Sequence, residues 1–219
     1  MRSSPVSRVF LTNADLDHVL GLFLLREGGR LAVTAPSGVR EALTEGLKVD
    51  GVLAPFGGIA WSDAPEEWSR IDDSALEIRA VPLPEAEAPR FAPDSAGCHG
   101  VGYLFRDVQS QKTCGIFPDV ARLDAALLKI LAACDRVYFD GTFWDEDEMP
   151  RLGLSPRRAR DMGHLPVSES LGLLANHAVR AAYVHVNNTN PILRPGSPER
   201  CEIERRGLRV AEDGERLSL

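Results

Sequence analysis

Apolar and polar positions fall in alternating blocks along this chain. An apolar-rich run over residues 6–11 predicts a buried strand, and a second, over residues 19–25, predicts the start of a helix. Residues 31–35 read as a strand. Ser37 is then expected to cap a helix running to Leu47, with Val39, Leu43 and Leu47 on one face. Residues 62–75 and 84–99 are rich in Pro, Asp, Glu and Ala and read as surface excursions, with a short strand over 76–81 between them. Residues 100–105 and 112–117 predict paired strands joined by a polar turn over 107–111. The spacing of Leu123, Leu127, Ile130, Leu131 and Cys134 predicts a helix over 120–134. A strand over 136–139 follows, ending in Asp140-Gly141-Thr142.

The acidic run Asp145-Glu146-Asp147-Glu148 reads as a solvated loop or a first helical turn. Ser168 is expected to cap a helix carrying Leu171, Leu174, Ala175 and Ala178 on its apolar face. Residues 181–186 read as a strand ending in Asn187-Asn188-Thr189-Asn190-Pro191. A short helix over 198–206 and a closing strand over 207–211 complete the chain. No internal repeat is visible. Alternating strands and helices of this kind predict an α/β fold.

Composition narrows the function classes. A chain of 219 residues reads as one domain with a substantial core. Its formal charge of −7 and pI near 5.3 argue against a general nucleic-acid binder, which would carry a basic stripe. The longest apolar run is too short to span a bilayer, and no basic-then-apolar opening marks a signal peptide. Cys98, Cys114, Cys134 and Cys201 are scattered without a C-x-x-C pair, so neither a disulfide framework nor a zinc knuckle is indicated. A reduced, cytoplasmic setting is expected.

Candidate chemistry concentrates at strand ends. Asp15, Asp17 and His18 stand together at a strand-to-helix turn, a set suited to Zn, Mn or Fe. The same stretch also reads as a polar loop in which Asp15 or Asp17 caps the next helix. Asp119 lies just past one predicted strand, Asp140 ends another, and His185 sits near the end of a third. Ligands bind beyond strand ends in layered α/β folds. Taken singly, Asp119 also reads as a helix cap, Asp140 as a turn former and His185 as a core histidine. Taken together they predict a metal site built from His18, His185 and at least one aspartate.

The segments TNADLDHVLGL, YFDGTFW, MGHLPV and HVNNTNPIL, in that order, closely resemble the coenzyme PQQ synthesis protein B family, part of the metallo-β-lactamase superfamily. The resemblance implies a four-layer αββα sandwich over residues 1–219. The superfamily signature H-x-H-x-D-H has its counterpart in residues 13–18, with Asn13 and Asp15 where the first two histidines would stand. The first subsite of a dinuclear zinc centre is thereby impaired, which disfavours ordinary metallo-hydrolase chemistry. Asp17, His18 and His185 match the second subsite, and Asp119 matches the bridging aspartate. Whether Asp15 ligates stays open.

Two imidazoles and a carboxylate suit Fe(II), with Zn as the alternative metal. The resemblance further implies an iron-dependent oxygenase that hydroxylates the tyrosine ring of a Glu-Tyr unit from a precursor peptide. The alternative is a non-catalytic carrier of PQQ or its precursor, or an accessory subunit. His164 would handle the phenolic proton, Asp140 with Phe143 and Trp144 would line the pocket, and Asn187, Asn188 and Asn190 would lock the loop that orients His185. His99 and His177 match no motif. Family members carry a further segment before the aspartate-rich motif. Without it the strand at 6–11 would leave an open sheet edge, to be covered by a second copy or a partner. No nucleic-acid or membrane partner is expected.

Overall fold

The computed structural model describes residues 4–83 and 86–218. The excursion expected over 84–99 therefore includes residues 84 and 85, which lie outside the described residues. The chain forms two compact units, Met1–Glu67 with Ala80–Val101, and Trp68–Arg79 with Gly102–Leu219. Among the described residues no helix is long and apolar enough to cross a membrane.

The first unit is built on strands β1 (Arg8–Phe10), β2 (Leu31–Ala35) and β3 (Ile59–Asp63), parallel and in that order. Helices α1 (Leu16–Val19) and α2 (Gly21–Leu24) connect β1 to β2, and α3 (Ser37–Glu41) and α4 (Val49–Leu53) connect β2 to β3. Parallel neighbours require such crossovers. Central β2 is a nearly continuous apolar run because both its faces are covered, with Val33 and Ala35 fully buried. They pack with Leu11, Val19, Leu22, Val39, Leu43 and Val49 into one core.

Two expectations are corrected here. The opening strand, Arg8–Phe10, is shorter than residues 6–11: Val6 is exposed, while the Leu11 amide still donates to the Thr34 carbonyl at 2.9 Å. The helix from Ser37 does not run unbroken to Leu47. Pro36 holds its N-cap position, while the Ser37 hydroxyl accepts from the Cys98 amide, and after Glu41 the chain makes a π-helical turn over Ala42–Gly46. Val39 and Leu43 still share the buried face, and Lys48, at φ 54°, ends it.

Strands β4 (Ser69–Arg70), β5 (Leu76–Pro82), β6 (Val101–Asp107), β7 (Thr113–Phe117), β8 (Arg136–Asp140), β9 (Ala181–Val184) and β10 (Arg209–Val210) form a sheet in the order β10-β9-β8-β7-β6-β5-β4. β5 and β6 carry the chain between the two units. β6 and β7 are an antiparallel hairpin, whose turn is held by Asp107 accepting from the Gln109 and Ser110 amides. From β7 to β10 all pairs are parallel. Their crossovers carry α5 (Ala125–Ala132), then α6 (Glu148–Arg151) and α7 (Val167–Asn176), then α8 (Pro198–Arg205).

The helix expected over 120–134 starts later, because Asp124 accepts from the Leu127 amide at 2.9 Å and so caps it. Asp119 is therefore not a cap. The next helix is entered through Pro166 rather than a Ser168 cap, and Ala178, exposed at φ 53°, lies past its end.

Gly102 of β6 is one position beyond the Tyr103–Ile116 pair, opposite Phe117, whose ring occupies the space a side chain would take. A Cβ there would stand 2.0 Å from Phe117 Cδ1. Phe117 is fully buried and cannot swing away. Gly102→Ala is expected to cost about 1–3 kcal/mol through overpacking, read as a lowered midpoint in denaturant with an unchanged slope.

The C-terminal segment is stapled to this sheet by Glu215, which accepts from Tyr138 Oη at 2.6 Å and from Arg209. The Arg209 bond, then that of Tyr138, holds the Glu215 carboxyl down at about 2. Its stabilising contribution is complete above its ordinary value of 4.5 and is lost as pH falls toward about 2. Amide exchange of residues 211–218 should accelerate across that window in the native chain, and show no such step in Glu215→Gln.

Candidate metal centre

Three parallel strands run level in the second unit, with Phe117 opposite Phe139 and Asp140 opposite Val184. Their carboxyl ends therefore lie side by side at a strand spacing of about 4.8 Å. Asp119 follows β7 by two residues, Asp140 is the last residue of β8, and His185 is the first after β9. Hydrogen-bond register, rather than proximity in sequence, assembles these side chains.

Asp140 is wholly enclosed. Its Oδ2 accepts from the Val120 amide at 3.0 Å and from His164 Nδ1 at 2.8 Å. Its Oδ1 accepts from the Thr142 amide at 3.0 Å and from the Thr142 hydroxyl at 2.7 Å. These four donors suit an ionised carboxylate, which offers about four lone-pair sites and no proton. Asp140, expected to line a pocket, has no exposed surface here and acts through its neighbours.

His164 follows a helical turn over Arg160–Met162, closed by Gly163 at φ 85°. Its amide donates to the Ala159 carbonyl, and the next amide, of Leu165, donates to the Val120 carbonyl at 2.7 Å. Arg160, bonded to both Glu146 and Glu169, braces the turn. With Nδ1 donating to Asp140, the ring presents Nε2 as its lone-pair nitrogen. Phe143 meets that ring edge-on at 5.7 Å.

His185 has left-handed backbone, φ 55°, which a non-glycine residue adopts only when its surroundings enforce it. Thr142 supplies the enforcement through the His185 ring and through its own carbonyl, which accepts from the Asn187 amide at 3.1 Å. Its hydroxyl lies 2.9 Å from both His185 Nδ1 and the His185 carbonyl oxygen. A hydroxyl has one proton to give, and the shorter, charge-assisted contact to Asp140 takes it. The oxygen then accepts from His185 Nδ1–H, which leaves the lone pair on Nε2. Asp140, through Thr142 on one side and directly on the other, thus sets the tautomer of both histidines.

Asp119 completes the group, with Oδ1 at 3.5 Å from His164 Nδ1 and 3.4 Å from His185 Nδ1. One ligand atom from each of Asp119, His164 and His185 lies within 4.8 Å of the others. A carboxylate and two imidazoles, largely shielded from solvent, form a donor set that suits a divalent Zn or Fe ion.

In the first unit, Asp17 and His18 lie on α1. Asp15 occupies the N-cap position without a side-chain capping bond, so the capping alternative is not realised. The Asn13 side chain accepts from the Asp15 amide at 3.0 Å, and the Thr12 hydroxyl lies 3.3 Å from His18 Nδ1. His18 Nε2 is 3.8 Å from Asp17 Oδ2.

Sequence reasoning missed two residues. Thr142 was visible as the hydroxyl after Asp-Gly, but its partner is forty-three positions away. Glu148 shares the solvated pattern of its acidic neighbours, yet it is buried, 1% exposed, and accepts from the Trp144 amide at 2.7 Å and the Thr189 hydroxyl at 2.5 Å. Burial pushes its carboxyl above the ordinary value, against the pull of those bonds. It ties α6 to the loop after His185. In that loop Asn187 donates to Thr189 at 2.6 Å, and Asn190 donates to the Gly141 carbonyl at 2.8 Å while capping the next turn. Asn187 and Asn190 hold the loop, whereas Asn188 is exposed and Thr142 is the residue that touches the His185 ring.

A family model described as a Beta-lactamase superfamily domain matches residues 1–185, ending at His185. The metallo-β-lactamase fold class expected from the motifs is thus the class of this chain. Coenzyme PQQ synthesis protein B of Pseudomonas fluorescens (strain SBW25) is 35% identical over 100% of this chain and 75% of its own length. The protein of that name from Pseudomonas entomophila (strain L48) is 33% identical with the same coverage. The crystal structure of Zn(2+)-bound PqqB from Methylobacterium extorquens superposes with a TM-score of 0.79 at 29% identity, covering 99% of this chain and 72% of that one. The chain belongs to the coenzyme PQQ synthesis protein B family.

Removing the Thr142 hydroxyl while keeping its shape tests the geometry. Thr142→Val is expected to lower divalent-metal affinity about 10–100-fold, since a ligand histidine loses its orienting partner. Competition against a chromophoric chelator reads this; unchanged affinity would detach Thr142 from the metal centre.

Proposed function

We propose that this chain takes part in PQQ biosynthesis as an iron-dependent oxygenase, hydroxylating the tyrosine ring of a Glu-Tyr unit from a precursor peptide. The observation that carries the reading is the buried Asp140–His164 pair beside His185 and Asp119, in a chain of this family. Asp17 and His18, with His185 and Asp119, are proposed as the metal ligands, as the signature at residues 13–18 implies. That the Methylobacterium protein is Zn(2+)-bound supports a divalent ion in this family. Fe(II) is proposed here because imidazole and carboxylate ligands with exchangeable positions suit it. Bound iron would supply the redox chemistry of dioxygen, which no side chain provides.

The chain's own residues position the ring and manage the proton. His164 Nε2 takes the phenolic proton, which makes the ring more electron-rich. Asp140, ionised and held by its other donors, stabilises the resulting imidazolium without accepting the proton itself. Phe143, against the His164 ring, keeps water from that side.

The test is to incubate iron-loaded protein with Glu-Tyr dipeptide, O₂ and ascorbate, and to follow product mass. A gain of oxygen is expected that vanishes in His185→Ala. Asp140→Asn should retain the product but slow its formation by about 10²–10⁴-fold, because the His164 tautomer is no longer held. No product from folded, iron-loaded protein would overturn the oxygenase and favour the carrier reading.

A further inference from the structure

The opposite ends of the same strands carry a second feature. A cavity of about 790 Å³ is lined by Arg136, Arg180, Arg206, Arg209 and Arg216, with Glu215 as its one acid. Its volume is that of a small-molecule site. Arg136 opens β8 and Arg180 immediately precedes β9, whereas Asp140 and His185 stand at the far ends of these strands. Four residue steps along β8 put about 13 Å between the two ends, so the cavity is separate from the metal centre.

The cations in it are not used up internally. Glu215 engages Arg209, and Glu202 engages Arg206. Among the described residues no carboxylate lies within salt-bridge distance of Arg136, Arg180 or Arg216. Arg136 gives one bond to the Asp135 carbonyl and otherwise faces solvent. Because Val137 pairs with Ala181, Arg136 and Arg180 are neighbours across the β8–β9 ladder. The Val137 amide bonded to the Arg180 carbonyl at 3.0 Å confirms that register. Like charges side by side on adjacent strands are unfavourable unless an anion lies between them. The C-terminus of α8 accounts for a cation at Arg206 by its dipole, but not for two arginines at strand ends. A chain of net charge −7 has no general reason to gather five cations in one concavity.

We propose that this cavity is a binding site for a small anion bearing two or more carboxylate or phosphate groups, held by Arg136, Arg180 and Arg216. Guanidinium forks match both groups bidentately, and three such forks around one space select for multiple charge. The Tyr138–Glu215–Arg209 staple fixes the C-terminal segment that brings Arg216 to the cavity.

The test is calorimetric titration of the full chain with benzene-1,3,5-tricarboxylate and with inorganic pyrophosphate, at matched ionic strength, using benzoate as the singly charged control. Saturable 1:1 binding of either polyanion, well above benzoate, is expected. Preference for the first marks a polycarboxylate ligand and preference for the second a phosphate ligand. Arg180→Gln should weaken binding about tenfold, the equivalent of one charge-assisted fork. Arg216→Gln, in an irregular segment where folding is not at risk, should do likewise. His185→Ala should bind as the native chain does. Polyanions binding no better than benzoate would overturn the proposal. So would binding insensitive to both arginine substitutions, or binding lost in His185→Ala.

Discussion

A single buried carboxylate organises the second unit. Asp140 is enclosed at the end of β8, and a charge in that position is tolerable only if every lone pair is met. The Val120 amide, the Thr142 amide and hydroxyl, and His164 Nδ1 meet them. Each of those bonds has a structural consequence. The first turns the chain after Asp119 before α5 can begin. The next pair close the turn that leads to Phe143, and the last fixes a histidine from a loop twenty-four residues away. Removing the carboxylate would leave several buried donors unpaired at once.

The same group explains why a residue in a strained conformation persists. His185 sits at φ 55°, and the hydroxyl that holds its ring is itself anchored on Asp140. Strain of this kind survives where the surroundings over-determine it, and the loop after His185 is held again by Glu148 through Thr189. The outcome is two imidazoles with assigned tautomers facing one carboxylate. That arrangement suits the metal ligation and the proton transfer proposed for it.

Charge is distributed unevenly along the sheet. One end of β8 and β9 gathers aspartates and histidines, and the other gathers arginines around a cavity. Parallel strands make this separation possible, because all their amino ends lie on one side and all their carboxyl ends on the other. A chain that is acidic overall therefore keeps a concentrated cationic surface.

Local sequence was enough for the family, the alternation of strands and helices, and the residue types of the candidate metal centre. The run 31–35 reads as a strand because it is apolar but for Thr34, and Asp119, Asp140 and His185 are visible as polar residues at strand ends. Which partners those residues meet depends on the folded chain. Glu148 carries the same local signal as Asp145 and Asp147, yet packing buries it and a hydroxyl from residue 189 satisfies it. Asp119 and Asp124 look equally able to cap α5, and the bond to Leu127 selects Asp124. Arg136 and Arg180 are forty-four positions apart and become neighbours only through the β8–β9 register. The reason is the same each time. Propensity and periodicity are local, whereas burial, hydrogen-bond satisfaction and strand register depend on partners that folding brings from elsewhere in the chain.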